Sequence, residues 1–355
     1  MNSKPDIPEK KKHKPSPLVT TQKLSVGYRH PYYLVSEAIN LQLERGRLYC
    51  LIGPNGCGKS TFIKTLAGLL PPLKGHIFLD EKELNHYSRK EMACHVAVVF
   101  PGGTSMPVMT AFEVAAAGRS PYVGFMGRLS GGDKEMVWKA LKLAGVESLA
   151  HRFFDRLSDG EKQKVWIASA LAQQTPLILL DEPAAFLDFP SRYELMHKLQ
   201  NMAHTQGKTI LLSTHDVALA LRLADQLIVA GYHKPFILAT PEDAIVSGII
   251  PAYFNRHDLA YNPLIHDFEP RGSKLFPVRV NFESPQPMAW SLFMLRHNLR
   301  YTIQGERAEM EIFIRSDGTL RLDVCNKTHI FEDLNSLSHF LRYEEYTLSG
   351  PVSES

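Results

Sequence analysis

Nowhere in the 355 residues does an apolar run reach the 18 or more needed to span a bilayer, and the N-terminus lacks the apolar core of a secretory signal. Neither a membrane span nor an export signal is expected, and the chain reads as cytoplasmic. Cysteine is scarce: Cys50, Cys57, Cys94 and Cys325 form no CxxC pair and no metal-ligand spacing, which excludes a structural zinc site and fits free thiols in a reducing compartment. An excess of one charge is missing as well. A net charge of +3 leaves no basic stripe for nucleic acid, so no nucleic-acid partner is expected. Hydrophobic residues, at 44%, suffice for a globular interior, and the length exceeds one typical core, predicting a large domain plus a smaller one.

Residues 1–17 carry five lysines and four prolines with hardly any apolar content. They read as a disordered tail that either solubilises the chain or meets an anionic membrane surface. From residue 18 to about 247, apolar strands alternate with amphipathic helices, which predicts an α/β domain. Strands are expected at Leu48 to Ile52, His95 to Phe100, Leu177 to Asp181, Thr209 to Ser213 and Gln226 to Ala230. A mainly helical insertion at about 102–172 separates the second from the third. Residues 248–274 read as a connector. A small α+β domain is expected over 275–345: a strand Phe276 to Phe282, a helix with Met288, Leu292, Leu295 and Leu299 on one face, a hairpin turning at Asp317-Gly318, and a helix from Glu332 to Tyr343. Residues 346–355 form a tail.

Residues 53 to 61 read Gly-Pro-Asn-Gly-Cys-Gly-Lys-Ser-Thr, a phosphate-binding loop, and they stand between an apolar strand and a helix, as that chemistry requires. Gly53, Gly56 and Gly58 let successive N–H groups face phosphate oxygens, with Pro54, Asn55 and Cys57 completing the turn. Lys59 is expected to reach the β- and γ-phosphates, Ser60 to hold Mg2+, and Thr61 to lie against the α-phosphate. Asp181 closes an apolar strand in Leu-Ile-Leu-Leu-Asp-Glu-Pro, where it suits Mg2+ coordination through water, and Glu182 suits the general base that polarises the attacking water. His215 ends the following strand, 34 residues after Asp181, and is a candidate γ-phosphate contact. ATP and Mg2+ are thus the expected ligands, with Lys59, Glu182 and His215 as the catalytic set. Cys57, next to a helix N-terminus and two residues from Lys59, is either a small residue chosen for fit or a thiol with a lowered pKa and raised reactivity.

Leu157-Ser158-Asp159-Gly160-Glu161 opens a helix 23 residues before Asp181. Together with the loop and the acidic strand it resembles the ATP-binding cassette (ABC) family, over about residues 18 to 245. The resemblance implies a P-loop NTPase of ABC type: a RecA-like α/β core, a helical subdomain at about 102–172 and an antiparallel β subdomain, here followed by the small C-terminal α+β domain. It implies a head-to-tail dimer in which Ser158, Asp159, Gly160 and Glu161 of one copy cap the nucleotide of the other. Tyr28 matches the adenine-stacking aromatic, and Asp188 matches the D-loop. Asp159 and Glu161 stand where the family has glycine and glutamine, adding negative charge near the triphosphate. Leu129-Ser-Gly-Gly-Asp133 is a decoy, 52 residues before Asp181, expected to cap a helix.

One family element is missing, because no glutamine occurs between Gln42 and Gln163. Thr104 or Ser105 could offer a hydroxyl in place of the glutamine after the strand His95 to Phe100. Ala117-Gly-Arg-Ser-Pro121 and the Thr-His-Asp run are similar to ATPases of ferric-siderophore, haem and cobalamin importers. That resemblance implies two integral membrane permease subunits as partners, indirectly a periplasmic binding protein, and a position on the inner face of the membrane. Met106, Pro107, Met109, Tyr122 and Phe125 either line the permease groove or pack the helical subdomain. The competing function is a soluble ABC ATPase acting on a protein or DNA without a transporter.

Overall fold

The computed structural model describes residues 16–102, 106, 108–124 and 127–254, and beyond them 259–262, 267–270, 276–282, 299–301, 310–314, 319–324, 327–333, 336–337 and 340–341. Residues 1–15, Thr104, Ser105, Pro107, Phe125, residues 288–298 of the expected helix, the Asp317-Gly318 turn and the tail 346–355 lie outside the described residues, while Leu299, expected on that helix, pairs in parallel with Phe276 and is strand instead. The chain divides into two compact units, Met1–Arg256 with Ala260–Asp267, and His257–Leu259 with Phe268–Ser355.

The first unit holds two sheets. The antiparallel one has the order β2 (Tyr32–Ile39), β1 (Val19–Arg29), β5 (Lys74–Leu79), β6 (Lys82–Glu83), with β3 (Gln42–Leu43) also on β1. The second has the order β11 (Lys234–Ala239), β10 (Gln226–Gly231), β4 (Leu48–Ile52), β9 (Thr209–Thr214), β8 (Leu177–Leu180), β7 (Val96–Val99). Its strands pair in parallel from β10 to β7, and β11 adds an antiparallel edge. Every residue of β4 and β8 is buried. Burial on both faces explains why Leu-Tyr-Cys-Leu-Ile and Leu-Ile-Leu-Leu are unbroken apolar runs rather than alternating ones.

Helix α1 (Lys59–Leu66) follows β4, α2 (Arg89–His95) leads into β7, α6 (Phe189–Gln206) links β8 to β9, and α7 (Val217–Leu223) precedes β10. Helices α8 (Pro241–Val246) and α9 (Ile249–Phe254) close the unit. A connector is expected from residue 248, but Ile250 is fully buried and α9 packs on β10, so this segment is part of the α/β unit.

Between β7 and β8, α3 (Ala111–Ala116), α4 (Gly131–Ala144) and α5 (Asp159–Ala172) enclose their own core of Val114, Val137, Leu141, Phe154, Val165 and Ala168. The decoy segment is a helix cap: the Ser130 hydroxyl accepts the Asp133 N–H at 3.1 Å, and the Asp133 carboxylate accepts the Ser130 N–H at 3.0 Å. Met106 and Met109 pack against this core, which favours packing over a groove for both. The Gly-Arg-Ser-Pro segment has a packing rationale too. A Cβ on Gly118 would lie 2.0 Å from the Ser169 carbonyl oxygen of α5, and buried Arg119 donates to Asp133 at 2.9 Å and to the Ala172 carbonyl at 2.8 Å.

β12 (Leu259–Asn262) and β13 (Asp267–Pro270) pair with each other, and in the second unit β15 (Leu299–Tyr301), β14 (Phe276–Phe282), β16 (Met310–Ile314), β17 (Leu320–Val324) and β18 (Lys327–Phe331) form one sheet in that order. The hairpin read from sequence is present, with Ile314 opposite Leu320 and Met310 opposite Val324. Met310, Ile312, Leu320, Leu322, Val324 and Leu337 make its core, and residues 336–337 and 340–341 are helical.

Replacing Gly118 by alanine forces the turn after α3 away from α5 and is expected to cost about 1–3 kcal/mol, read as a lowered urea midpoint. Gly131→Ala, whose Cβ would meet nothing within 4 Å, is the control and leaves the midpoint unchanged.

Candidate nucleotide site

The loop after β4 turns back on itself through Gly58, which has φ +103° and whose Cβ would lie 2.1 Å from a methyl carbon of Val35. Both the left-handed backbone and the close approach of β2 require glycine there. Lys59, only 5% exposed, donates from Nζ to the carbonyls of Gly53 at 2.7 Å and Pro54 at 3.1 Å. The ammonium is thereby held inside the curl of the loop, at the N-terminus of α1, where both charges favour an anion. Asn55, Gly56 and Ser60 are exposed on the outer side. The Tyr28 hydroxyl stands 3.3 Å from the Thr61 hydroxyl, fixing the aromatic beside the helix start.

The carboxylates come from the neighbouring strands. Asp181 follows β8, is 3% exposed and donates its N–H to the Val99 carbonyl at 2.8 Å. Ser213 of β9 donates to the Asp181 carboxylate at 2.6 Å and accepts the Glu182 N–H at 2.9 Å, so one hydroxyl positions both acids. Glu182 has φ +49°, a left-handed conformation that costs of order 1 kcal/mol or more outside glycine. Its carboxylate lies 3.1 Å from Nδ1 of His215, just past the end of β9.

With buried Asp181 outside its lining, a cavity of about 420 Å3 joins the loop to Glu182 and His215. It is lined by Asn55, Gly56 and Gly58 to Thr61, by Tyr28, Tyr33 and Val35, and by Glu182 and His215. Oxygen donors alone, the exposed Ser60 hydroxyl and the Asp181 carboxylate, fit a hard cation such as Mg2+.

Ser158, Asp159, Gly160, Glu161 and Asp188 do not line this cavity. Ser158 caps α5: its hydroxyl accepts the Glu161 N–H at 3.3 Å, and the Glu161 carboxylate accepts the Ser158 N–H at 2.8 Å. That N–H holds the Glu161 carboxyl below the ordinary range. The acidic residue in the glutamine position therefore completes a capping box. Ser158 and Asp159 are exposed. Asp188 caps α6 by accepting the Ser191 N–H at 2.9 Å, and the Ser191 hydrogen bonds lower its carboxyl pKa.

The ABC transporter family profile matches residues 36–185. The ferric enterobactin transport ATP-binding protein FepC of Escherichia coli (strain K12) is 34% identical over 229 residues, which are 64% of this chain and 84% of FepC. The chain belongs to the ABC family. Among solved structures, an inward-facing metal-chelate type ABC transporter (described as putative) aligns with TM-score 0.58 and 25% identity, over 71% of this chain and 95% of that one. A dimeric ATP-binding cassette bound to ADP and Pi after hydrolysis aligns with TM-score 0.57 and 27% identity, over 63% and 98%. ATP hydrolysis in transport is the activity of this family, and the α/β core with helical and antiparallel subdomains is its fold.

Within this ABC ATPase, four contributors were missed by sequence reasoning. Ser213 was legible near the end of the strand that His215 follows. Tyr33 and Val35 required the β1–β2 pairing. Tyr232 donates its hydroxyl to the Asn55 carbonyl from 177 residues away, and no local signal announces that. Cys57 faces the core, not the phosphates. Its sulfur turns inward to join the core, where a Cβ on Gly53 would lie 2.8 Å from it. Burial pushes its thiol pKa up, outweighing the Lys59 ammonium and the nearby N–H groups that favour thiolate. Lowered pKa and raised reactivity are thus overturned. At neutral pH, maleimide is expected to label Cys57 more slowly than half-buried Cys94 in the folded protein, with equal labelling after denaturation, as read by peptide mass spectrometry.

Proposed function

We propose that this chain is the ATP-hydrolysing subunit of an importer for an iron complex, such as a siderophore, working as a head-to-tail pair on the inner face of the membrane. The observation that carries the reading is one cavity that gathers the phosphate loop, Glu182 and His215 while the signature segment lies outside it. A site of this kind is half complete, and a second copy supplies what it lacks. FepC and the metal-chelate transporter support the cargo class and weigh against a transporter-free role.

In this mechanism the loop N–H groups and Lys59 hold the β- and γ-phosphates, Tyr28 stacks on the base, and Thr61 faces the α-phosphate. Ser60 and Asp181 hold Mg2+, which when bound neutralises charge on the phosphate oxygens. Glu182 accepts the proton of the attacking water. His215, with Nδ1 3.1 Å from the Glu182 carboxylate, contacts the γ-phosphate and keeps the carboxylate turned toward it. Ser158 and Gly160 of the partner close over the γ-phosphate, so closure of the pair reports that ATP is in place.

Two permease subunits, fed by a periplasmic binding protein, are the proposed users of that closure. No helix among the described residues is long and apolar enough to cross a membrane. An apolar groove of about 860 Å3 runs between the end of α1, β5, α2 and β7, lined by Leu69, Leu70, Leu84, Tyr87 and Met92 with Arg89 at its rim. Leu69 is 61% exposed there, without a core role. Such a groove suits an amphipathic permease helix. Gln173 ties its floor to the helical subdomain by donating to the Val96 carbonyl at 3.0 Å, a route from the groove to α5 and the signature.

Glu182→Gln is expected to keep ATP binding, lose about 10²-fold or more in turnover, and accumulate as an ATP-bound dimer in size-exclusion chromatography. Ser158→Arg stays monomeric with ATP. Parent-level turnover in the first variant would remove Glu182 from the role of base. Leu69→Glu is expected to retain basal ATPase activity in isolation while losing co-purification with the permease; retained co-purification would move the docking surface elsewhere.

A further inference from the structure

We propose that Tyr33 forms a second aromatic wall of the base pocket, alongside Tyr28, and binds the nucleobase of the triphosphate through its ring face. The proposal rests on the nucleotide site described above. It adds a residue that the loop and signature motifs do not contain.

The argument begins with register. Tyr28 on β1 and Tyr33 on β2 are direct cross-strand partners in an antiparallel pair. Side chains so paired project to the same side of the ribbon with Cβ atoms roughly 5 Å apart. Val35 shares that face two residues along β2, and its methyl touches the space where a Gly58 Cβ would lie. Val35 therefore abuts the phosphate loop itself. A two-residue step along a strand is about 6–7 Å, which sets Tyr33 farther from the phosphates by roughly the width of a sugar. That is the distance at which the base of a loop-bound nucleoside triphosphate lies.

Exposure agrees. Tyr33 is 60% and Tyr28 40% exposed, yet both line the 420 Å3 cavity with Lys59 and Thr61. Neither ring is spent on core packing. The opposite face of β2 carries Tyr32, 67% exposed and paired with Arg29, and Tyr32 does not line the cavity. Two adjacent tyrosines of similar exposure thus differ in one respect, the side of the ribbon they occupy, and each is the control for the other. Stacking on such a wall reads the π-face of a base rather than its hydrogen-bonding edge.

The test is calorimetric titration of the full chain with ATP and with inorganic tripolyphosphate, which has the phosphates but no base. Tyr33→Ala is expected to weaken ATP binding roughly ten-fold while tripolyphosphate binding stays at the parent value, and that retained binding also shows the variant to be folded. Tyr33→Phe, which keeps the ring, restores parent affinity for ATP. Tyr32→Ala leaves both ligands unaffected. Unchanged ATP affinity in Tyr33→Ala overturns the proposal. Equal weakening of ATP and tripolyphosphate also overturns it, because the residue would then act through Val35 and the loop. A parent protein that binds tripolyphosphate no more weakly than ATP has no base pocket and removes Tyr33 with it, whereas one that binds neither overturns the nucleotide site as a whole.

Discussion

The site depends on β4, β8 and β9 running parallel and ending at one edge of the same sheet. Ile52 pairs with Thr214 and Leu180 pairs with Leu212, so Gly53 emerges beside His215 and Asp181 beside Ser213. In an open parallel sheet this carboxyl edge is where ligands bind. Ser213 makes the alignment chemical. Its hydroxyl joins the tips of β8 and β9, holding the Asp181 carboxylate and the Glu182 backbone at the same time. A one-residue slip between these strands would turn Ser213 to the other face and separate the two acids from their anchor.

On that edge, electrostatics are set before any nucleotide arrives. The Lys59 ammonium is buried but rests on two backbone carbonyls, so its charge is solvated by the loop it serves. Partial replacement of those contacts by phosphate oxygens exchanges like for like, which keeps the energetic cost of binding low. Glu182 pays for its aim with a left-handed backbone, and the Ser213 hydroxyl and His215 ring keep it there. The same dry packing that shapes the loop removes Cys57 from it, because a side chain that fills the space beneath Gly53 cannot also face the phosphates.

The helical insertion is built so that its own cohesion is separate from that edge. Gly118 lets the turn after α3 approach the backbone of α5, and Arg119 bridges α4 and α5 through Asp133 and the Ala172 carbonyl. Ser158, the proposed signature serine, sits at the N-terminus of α5 with its capping box complete, which presents a rigid and exposed helix end. A movement of the insertion against the sheet therefore carries Ser158 as part of a solid body, with Gln173 as the tie to α2 and β7.

The amino-acid sequence by itself determined the loop, the acidic strand end, His215, the helical insertion and the hairpin near the C-terminus, since each is written in neighbouring residues: glycine spacing, an apolar run closed by Asp-Glu, period-two alternation. It also separated the Ser130 cap from the Ser158 segment proposed as the signature, by distance along the chain. Tertiary structure alone decided the rest. Whether Cys57 faces phosphate or core depends on which side of the loop β10 and Val35 fill. Tyr33 joins the cavity through its pairing with β1, and Tyr232 reaches Asn55 across 177 residues. The groove of Leu69, Leu84 and Met92 likewise draws on four segments. Local patterns fix what a segment can become, whereas a side chain's surroundings are set by contacts between segments that no sequence window contains.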